Sequence, residues 1–333
     1  RLRSKRDWGR LDMRFNLWED CNRVPLTELL SFIVDNRGKT VPTAPSGHKL
    51  IATNCVTNNT LFPVYDKIRY LSEETYQTWF RAHPIPGDIL FVNKGTPGRV
   101  CLVPDPVDFC IAQDMIALRA DESKIYPKYL FTVLRSREIQ QQIYNTNVGD
   151  VIPHFKKQFL DQLLIPIPER SIQESIGDLY YVLSLKAERN KKINDNLYAQ
   201  AKAIFDNHFI NIDAIPAGWR KGNLLDIANY LNGLAMQKFR PQGHEIGLPV
   251  LKIKELRQGS CDDSSELCSL SIKPEYIIHN GDVVFSWSGS LLVDIWCGGT
   301  CGLNQHLFKV TSDVYDKWFY YLWTAHHLAR FIA

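Results

Sequence analysis

Marks of special chemistry are scarce in this chain of 333 residues. No uninterrupted apolar run approaches the roughly 18 residues that a membrane helix needs. The basic opening, Arg1 to Arg10, is not followed by the apolar core of a signal peptide. A soluble, cytoplasmic protein is expected, with no membrane partner. Eight cysteines include no Cys-x-x-Cys pair, and Cys297 and Cys301 stand four apart without a second pair or a histidine at metal-site spacing. Reduced, buried thiols are expected rather than a metal site or a disulfide framework. Charge of one sign is lacking too: 39 Lys and Arg against 36 Asp and Glu leave a net charge of +3. That balance neither requires nor excludes a polyanionic partner, because patches matter more than totals.

Catalytic signatures are also missing. Gly38-Lys39-Thr40 resembles the tail of a phosphate loop, but the first glycine would fall at Ile33. No Gly-x-Gly-x-x-Gly run follows a strand. Without a Pro-Pro dipeptide there is no Asp/Asn-Pro-Pro-aromatic motif to hold the amino group of a flipped base. No Gly-x-Ser-x-Gly elbow and no His-Glu-x-x-His helix occur. The absence of such a constellation argues against an enzyme.

What is present is a grammar written twice. Pro86-Gly-Asp-Ile-Leu-Phe91 is followed by Tyr126-Pro-Lys-Tyr-Leu-Phe131; Asn280-Gly-Asp-Val-Val-Phe285 is followed by Tyr315-Asp-Lys-Trp-Phe-Tyr320. A glycine follows each first strand (Gly95, Gly289), a glutamine opens a later one (Gln113, Gln305), and an amphipathic stretch closes each copy near Ile143 and Ile332. Duplication at this scale predicts two homologous domains rather than a solenoid. β-Branched and aromatic runs separated by Gly, Pro and Asn predict strands at Leu50–Thr53, Asp88–Val92, Arg99–Val103 and Ile111–Leu118. Helices are predicted at Tyr126–Tyr144 and Lys156–Leu164, then a strand-like Ile165–Pro168. The second copy reads as an element at Leu224–Tyr230, an edge strand at Gly247–Lys254, strands at Gly281–Trp287, Leu291–Trp296 and His306–Val310, and a helix from Tyr315.

Between the copies, Ser171 and Glu174 fit a capping box. Ile176, Leu183, Asn190, Leu197 and Ile204 then recur at a seven-residue step, with Leu179 and Ile193 in companion places. A helix over about 170–207, near 55 Å at 1.5 Å per residue, is too long for one small domain. Its narrow apolar seam calls for a partner helix, and Asn190 would fix register at a cost in stability. The fold class is α+β: two homologous mixed α/β domains separated by a long coiled-coil-like helix. The boundaries are an amino-terminal segment 1–22, a first domain 23–168, the helix 169–211 and an incomplete second domain 212–333.

The candidate binding groups lie in loops that match between the copies. They are Arg37, Lys39 and Thr40; Asn93, Lys94, Thr96 and Arg99; Gln237, Lys238 and Arg240; and Ser286, Ser288 and Ser290. Cations reach phosphates, while amides and hydroxyls read base edges. Any one cluster would ordinarily be a solvated loop; their matched placement gives them weight.

The chain resembles the specificity subunits of type I restriction-modification systems. The resemblance rests on Gly247-Leu-Pro-Val-Leu-Lys-Ile-Lys-Glu-Leu256, Pro86-Gly-Asp-Ile-Leu-Phe91 with Gly95 and Gly98, and Asn280-Gly-Asp-Val-Val-Phe-Ser-Trp-Ser-Gly289. It also draws on Ile165-Pro-Ile-Pro168 and Asn190-Lys-Lys-Ile-Asn194, and covers about 22–333. It implies that each domain is a target recognition domain reading one half of a split sequence in double-stranded DNA. Long helices would pack antiparallel, measure the unread spacer and dock two methyltransferase (M) subunits, with restriction (R) subunits joining them. It implies no catalytic residue, no metal and no cofactor in this chain. S-adenosylmethionine, ATP and Mg²⁺ belong to the partner subunits. The second domain departs from the pattern in lacking its final portion and second long helix, so the natural protein is expected to continue past Ala333. Alternatives are a specificity module of a related defence or methylation system, a stand-alone enzyme, and a non-DNA protein adaptor.

Overall fold

The fold was analysed in a computed structural model, which describes residues 21–36, 39–146 and 153–332. Internal contacts divide the chain into two units that meet in sequence between Asp195 and Asn196.

The first unit contains strands β1 (Asn22–Pro25), β2 (Leu30–Val34), β3 (His48–Ile51), β4 (Arg69–Leu71), β5 (Ile89–Val92), β6 (Val100–Leu102), β7 (Phe109–Ile111), β8 (Met115–Ala120) and β9 (Leu164–Ile167). Its helices are α1 (Glu73–Thr78), α2 (Pro127–Leu134) and α3 (Arg137–Thr146), followed by α4 (Arg170–Phe205). Four strands form an antiparallel sheet in the order β2-β8-β5-β6, and β4-β3-β7 form a second sheet with β3 parallel to β7. Strand periodicity explains the core. Ile89 and Phe91 of β5, with Val100, Leu102, Ile116 and Leu118, pack toward α2, α3 and the first turns of α4. Leu90 and Val92, with Cys101, Val103, Met115 and Ala117, pack with Ile51, Phe109 and Ile111 of the second sheet. Because both faces of β5 are covered, its sequence is a continuous apolar run rather than an alternation.

The second unit repeats this plan with β10 (Asn229–Asn232), β11 (Leu248–Leu251), β12 (Leu267–Cys268), β13 (Ile277–Ile278), β14 (Val283–Ser286), β15 (Leu292–Ile295), β16 (Cys301–Leu303) and β17 (Leu307–Thr311), and with helices α5 (Ile253–Gln258) and α6 (Lys317–Ile332). One sheet has the order β10-β17-β14-β15, the other β12-β11-β16-β13 with β11 parallel to β16. The first of these matches the first unit's four-stranded sheet strand for strand; the other keeps the order β4-β3-β7 as β12-β11-β16 and adds β13 at its edge. Val283 and Phe285 face a cluster with Tyr320 of α6, while Val284 faces Leu251, Cys301 and Leu303.

The duplicated Gly-Asp closes a tight turn before β5 and before β14. Gly87 and Gly281 take φ of 86° and 91°, which favours glycine. The following aspartate closes the turn: the Ile85 and His279 N–H groups donate to Asp88 Oδ2 and Asp282 Oδ2 at 2.9 and 2.8 Å. Each carboxylate also meets a cation from the neighbouring strand. Arg119 grips Asp88 with Nε and Nη2 at 2.9 and 3.0 Å, and Lys309 Nζ lies 2.8 Å from Asp282.

Several expectations are corrected. Ile111–Leu118 is two strands, because the chain leaves the second sheet at Ile111 and enters the first at Met115 through a turn at 112–114. Tyr126–Tyr144 is two helices. Arg135 ends α2 and turns its guanidinium onto the carbonyls of Thr57 and Val100, while Ser136 Oγ accepts from Ile139 N–H and starts α3. Lys157–Gln162 is 3₁₀ rather than α. Ser171 does not cap α4. The first bonds go to the Glu169 carbonyl, Ser171 lies inside the helix, and Glu174 pairs with Arg170. Gly247–Lys254 is not an edge strand, since β11 has β12 on one side and β16 on the other.

The long helix is present, running 36 residues before a π turn at Asp206–Ile210. Its first turns belong to the first unit. Ile176, Tyr180, Tyr181 and Leu185 pack on that core, and Gly177 lies against α2, where a Cβ would come within 2.6 Å of the Tyr129 nitrogen. Near its end, Tyr198 and Phe205 meet Tyr321 and Trp323 of α6 edge to face.

Candidate nucleic-acid interface

Sheet topology decides where the candidate loops emerge. β2 and β5 are both antiparallel to β8, which lies between them, so they run the same way. Val34 pairs with Ala117 and Val92 with Met115, which places the ends of β2 and β5 at the edge where β8 begins. Three connections leave that edge: 35–47, 93–99 and the turn 112–114. The second unit does the same around β17. Asn232 pairs with Phe308 and Ser286 with Leu307, so 233–247, 287–291 and 304–306 share one edge. The loops that carry the candidate residues are therefore brought together within each unit.

Lys39, Thr40, Lys94 and Arg99 are exposed, and Thr96 is half-buried; Arg37 lies outside the described residues. Asn93 is corrected. It is 3% exposed, its Nδ2 donates to the Phe155 carbonyl at 3.3 Å, and its N–H donates to the Asp114 carbonyl at 2.9 Å. The segment 153–155 covers it, with Gly95 N–H donating to the Pro153 carbonyl and Lys94 bridged to His154. In the second unit Gln237, Lys238, Arg240 and Ser290 are exposed and Ser288 is half-buried. Ser286 is corrected: it is fully buried in β14 and donates to the Ser288 carbonyl. Arg240 Nη2 lies 2.7 Å from Glu266 Oε2, and Lys252 shares that carboxylate. Lys252 first, then Arg240, hold the Glu266 carboxyl below its ordinary range. A phosphate would therefore compete with Glu266 for Arg240.

Sequence reasoning missed the central turn. It noted Gln113 and Gln305 as matched strand openers but did not place them at the interface. The turn is fastened to a neighbouring loop and to strand ends of the second sheet. Asn304 N–H donates to Leu251 O at 3.2 Å, Gln305 N–H to Leu234 O at 2.8 Å, and Ala112 N–H to Ile51 O at 3.0 Å. His306 is exposed, with Nδ1 3.2 Å from Ser288 Oγ and its ring 6.0 Å from that of Trp287, itself 46% exposed. Asn93 Oδ1 and Gln113 Oε1 are buried and lack a hydrogen-bond partner among the described residues.

A separate cavity of about 300 Å³ lies in the first unit, lined by His48, Lys49, Tyr76, His83, Asp108 and Phe109 among others. Tyr76 stacks between His48 and His83 at 4.0 and 4.4 Å. Burial pushes the His83 imidazole below its ordinary pKa. His48 and Phe109 begin β3 and β7, so this cavity sits at the other end of those strands from the loop edge. Among the described residues no group of three or more His, Cys, Asp or Glu could hold a metal ion, and no helix is long and apolar enough to cross a membrane.

The residues assigned to helix packing divide. Ile176 is corrected: it packs on the first unit's own core. Leu179, Leu183, Ile193, Leu197 and Ile204 are 62%, 57%, 55%, 57% and 63% exposed, with Asn190 exposed among them. Val182 adds to this stripe at 57%.

Comparison with known proteins agrees with this architecture. The family model for the type I restriction modification DNA specificity domain matches residues 27–199. The type I restriction enzyme MjaIX specificity subunit of Methanocaldococcus jannaschii is 21% identical over 268 residues, 74% of this chain and 60% of that protein. The HindI specificity subunit of Haemophilus influenzae is 26% identical over 136 residues, 39% of this chain and 29% of that protein. The chain thus spans 60% or less of the length of these curated relatives. The crystal structure of a type I restriction-modification S subunit from M. genitalium has a TM-score of 0.56 at 15% identity, over 94% of this chain and 79% of that chain, and shares the fold.

Proposed function

We propose, from the premise that this chain belongs to the type I restriction-modification DNA specificity domain family, that it is a sequence-specific DNA-binding subunit and that each unit reads one half of a split target. The observation that supports this most is the pair of matching sheet edges, each gathering three polar connections around the start of a central strand. Exposed Lys39, Lys94, Arg99, Lys238 and Arg240 supply cations for phosphates. Thr40, Thr96, Gln237, Ser288 and Ser290 supply donors and acceptors for base edges. Asn93 and Ser286 shape these loops from beneath, because their side chains are buried.

In this reading the chain carries no catalysis of its own. Methyltransferase and restriction subunits assemble on it, and the S-adenosylmethionine, ATP and Mg²⁺ chemistry resides on them. The exposed apolar stripe of α4 is where partner helices pack, since a stripe of this kind is seldom left open.

Methylome mapping by long-read sequencing tests the proposal. Cells expressing the gene with its neighbouring methyltransferase are compared with cells deleted for the gene. A split methylated motif that disappears with the deletion is the expected result. An unchanged methylome, with the methyltransferase soluble and expressed, overturns it.

A further inference from the structure

Gln113 and Gln305 occupy the same place in the two units, the middle residue of the turn that feeds the central strand of the four-stranded sheet. Their neighbours do not match. Ala112 and Asp114 stand where the second unit has Asn304 and His306, and Lys94-Gly95-Thr96 stands where it has Ser288-Gly289-Ser290. Two units that read different half-sites need different residues wherever they read bases. A residue that stays the same at the centre of both surfaces is suited to something both half-sites share, and what any two stretches of duplex share is the sugar-phosphate backbone.

The setting fits a binding group rather than a filler. Each turn is fixed by backbone bonds to a neighbouring loop or strand end, Asn93 N–H to Asp114 O at 2.9 Å in one unit and Gln305 N–H to Leu234 O at 2.8 Å in the other. A side chain on such a turn is held in place before it binds, which lowers the entropic cost of the contact. Gln113 is only half-buried, yet its Oε1 is buried without a partner. That oxygen is an acceptor, which a phosphate cannot satisfy, so the contact falls to the Nε2 donor at the other end of the same amide. Gln305 Nε2 lies 3.3 Å from His306 Nε2, a contact that a phosphate oxygen can replace.

We propose that Gln113 and Gln305 are a matched pair of DNA-backbone contacts, one per unit, which add affinity for any duplex and leave the choice of bases to the loops around them. This rests on the DNA-reading function above. A neutral amide donating to a phosphate contributes one ordinary hydrogen bond, so each loss weakens binding by about threefold to tenfold. The product of the two losses is expected in the double variant, because the sites lie in separate units.

The test uses the chain co-expressed with its methyltransferase subunit. The probe is a random-sequence duplex several helical turns long, and the methylated motif is mapped in cells in parallel. Gln113→Ala and Gln305→Ala should each weaken random-duplex binding while the motif keeps every base of both halves. Gln113→Glu and Gln305→Glu should weaken it further, since a carboxylate repels phosphate. A packing role predicts the opposite order, with the larger glutamate better tolerated than alanine. Unchanged random-duplex affinity, relaxation of bases in one half-site, or a loss that tracks a fall in melting temperature would each overturn the proposal. Wild-type complex that neither binds duplex nor methylates a motif overturns the DNA-reading function as well, and shows it without any variant.

Discussion

Asp88 is 2% exposed and carries three hydrogen bonds, one from the Ile85 N–H and two from Arg119. Removing the carboxylate leaves a turn donor unsatisfied and a partly buried guanidinium without its partner. Asp88→Ala should therefore destabilise the protein by about 2–4 kcal/mol, measured as a shift in urea midpoint at constant slope. A change below about 0.5 kcal/mol would remove the turn-closing role. Asp178 sits at a more exposed junction. Lys128 Nζ reaches it at 2.6 Å and the Tyr126 hydroxyl at 2.9 Å, and chiefly the Lys128 bond holds its carboxyl below the ordinary aspartate range. A lowered folded pKa means that the unfolded chain binds the proton first. The stabilisation is therefore complete above the ordinary value near pH 4 and is lost as pH falls through the folded value. The melting-temperature gap between wild type and Asp178→Asn should be open at about pH 7 and narrow as pH falls through the lowered folded value. A gap that widens on acidification would reverse the assignment. At this scale the sequence was partly legible. Gly-Asp could be read as a motif, but not as a turn closed by its own carboxylate, because Arg119 arrives from 31 residues away.

α4 makes two demands on two of its faces. On the inner face Gly177 meets backbone atoms of Tyr129 and Lys128 at 2.6 and 2.9 Å from where a Cβ would stand. In an open helix, alanine in place of glycine would stabilise by about 1 kcal/mol. Here the sign should reverse, with Gly177→Ala costing about 1–3 kcal/mol as α2 and α4 are forced apart; a thermal melt of the variant decides it. On the outer face the apolar stripe is solvent-exposed, so changing it should not unfold the chain. Leu183→Ser with Leu197→Ser should leave stability within about 0.5 kcal/mol while abolishing co-purification with the methyltransferase subunit. Retained co-purification would place the docking surface elsewhere. The seven-residue pattern was legible as a seam but not as two faces. An α-helix turns every 3.6 residues, so a seven-residue step drifts around it by about 20° per heptad. Which of its residues a neighbouring core covers depends on where α2 and the sheet lie.

For the whole molecule, the proposed reading of a split target makes the length of α4 testable against the unread spacer. Deleting one turn of α4 between Lys186 and Asn196 shortens it by about 5.4 Å, between one and two base-pair steps at about 3.4 Å each. The methylated motif should keep both half-sites and change only the number of unread bases between them. Altered half-sites with an unaltered spacer would count against this role.

The sequence by itself determined the duplication, the α+β class, the long helix and the matched loops. These follow from local information: glycine where φ is positive, apolar runs at strand length, and an apolar stripe at helical spacing. Only the tertiary structure decided which polar loop residues face outward. Asn93 and Ser286 read like their neighbours in sequence, yet one is roofed by residues 153–155 and the other is a strand residue inside the sandwich. It also decided that the break within Ile111–Leu118 is a turn at the middle of the edge where the candidate loops emerge. Covering a sheet on both faces removes the alternation that would otherwise mark where a strand ends, so the polar pair Gln113-Asp114 could not by itself show that the chain passes there from one sheet to the other.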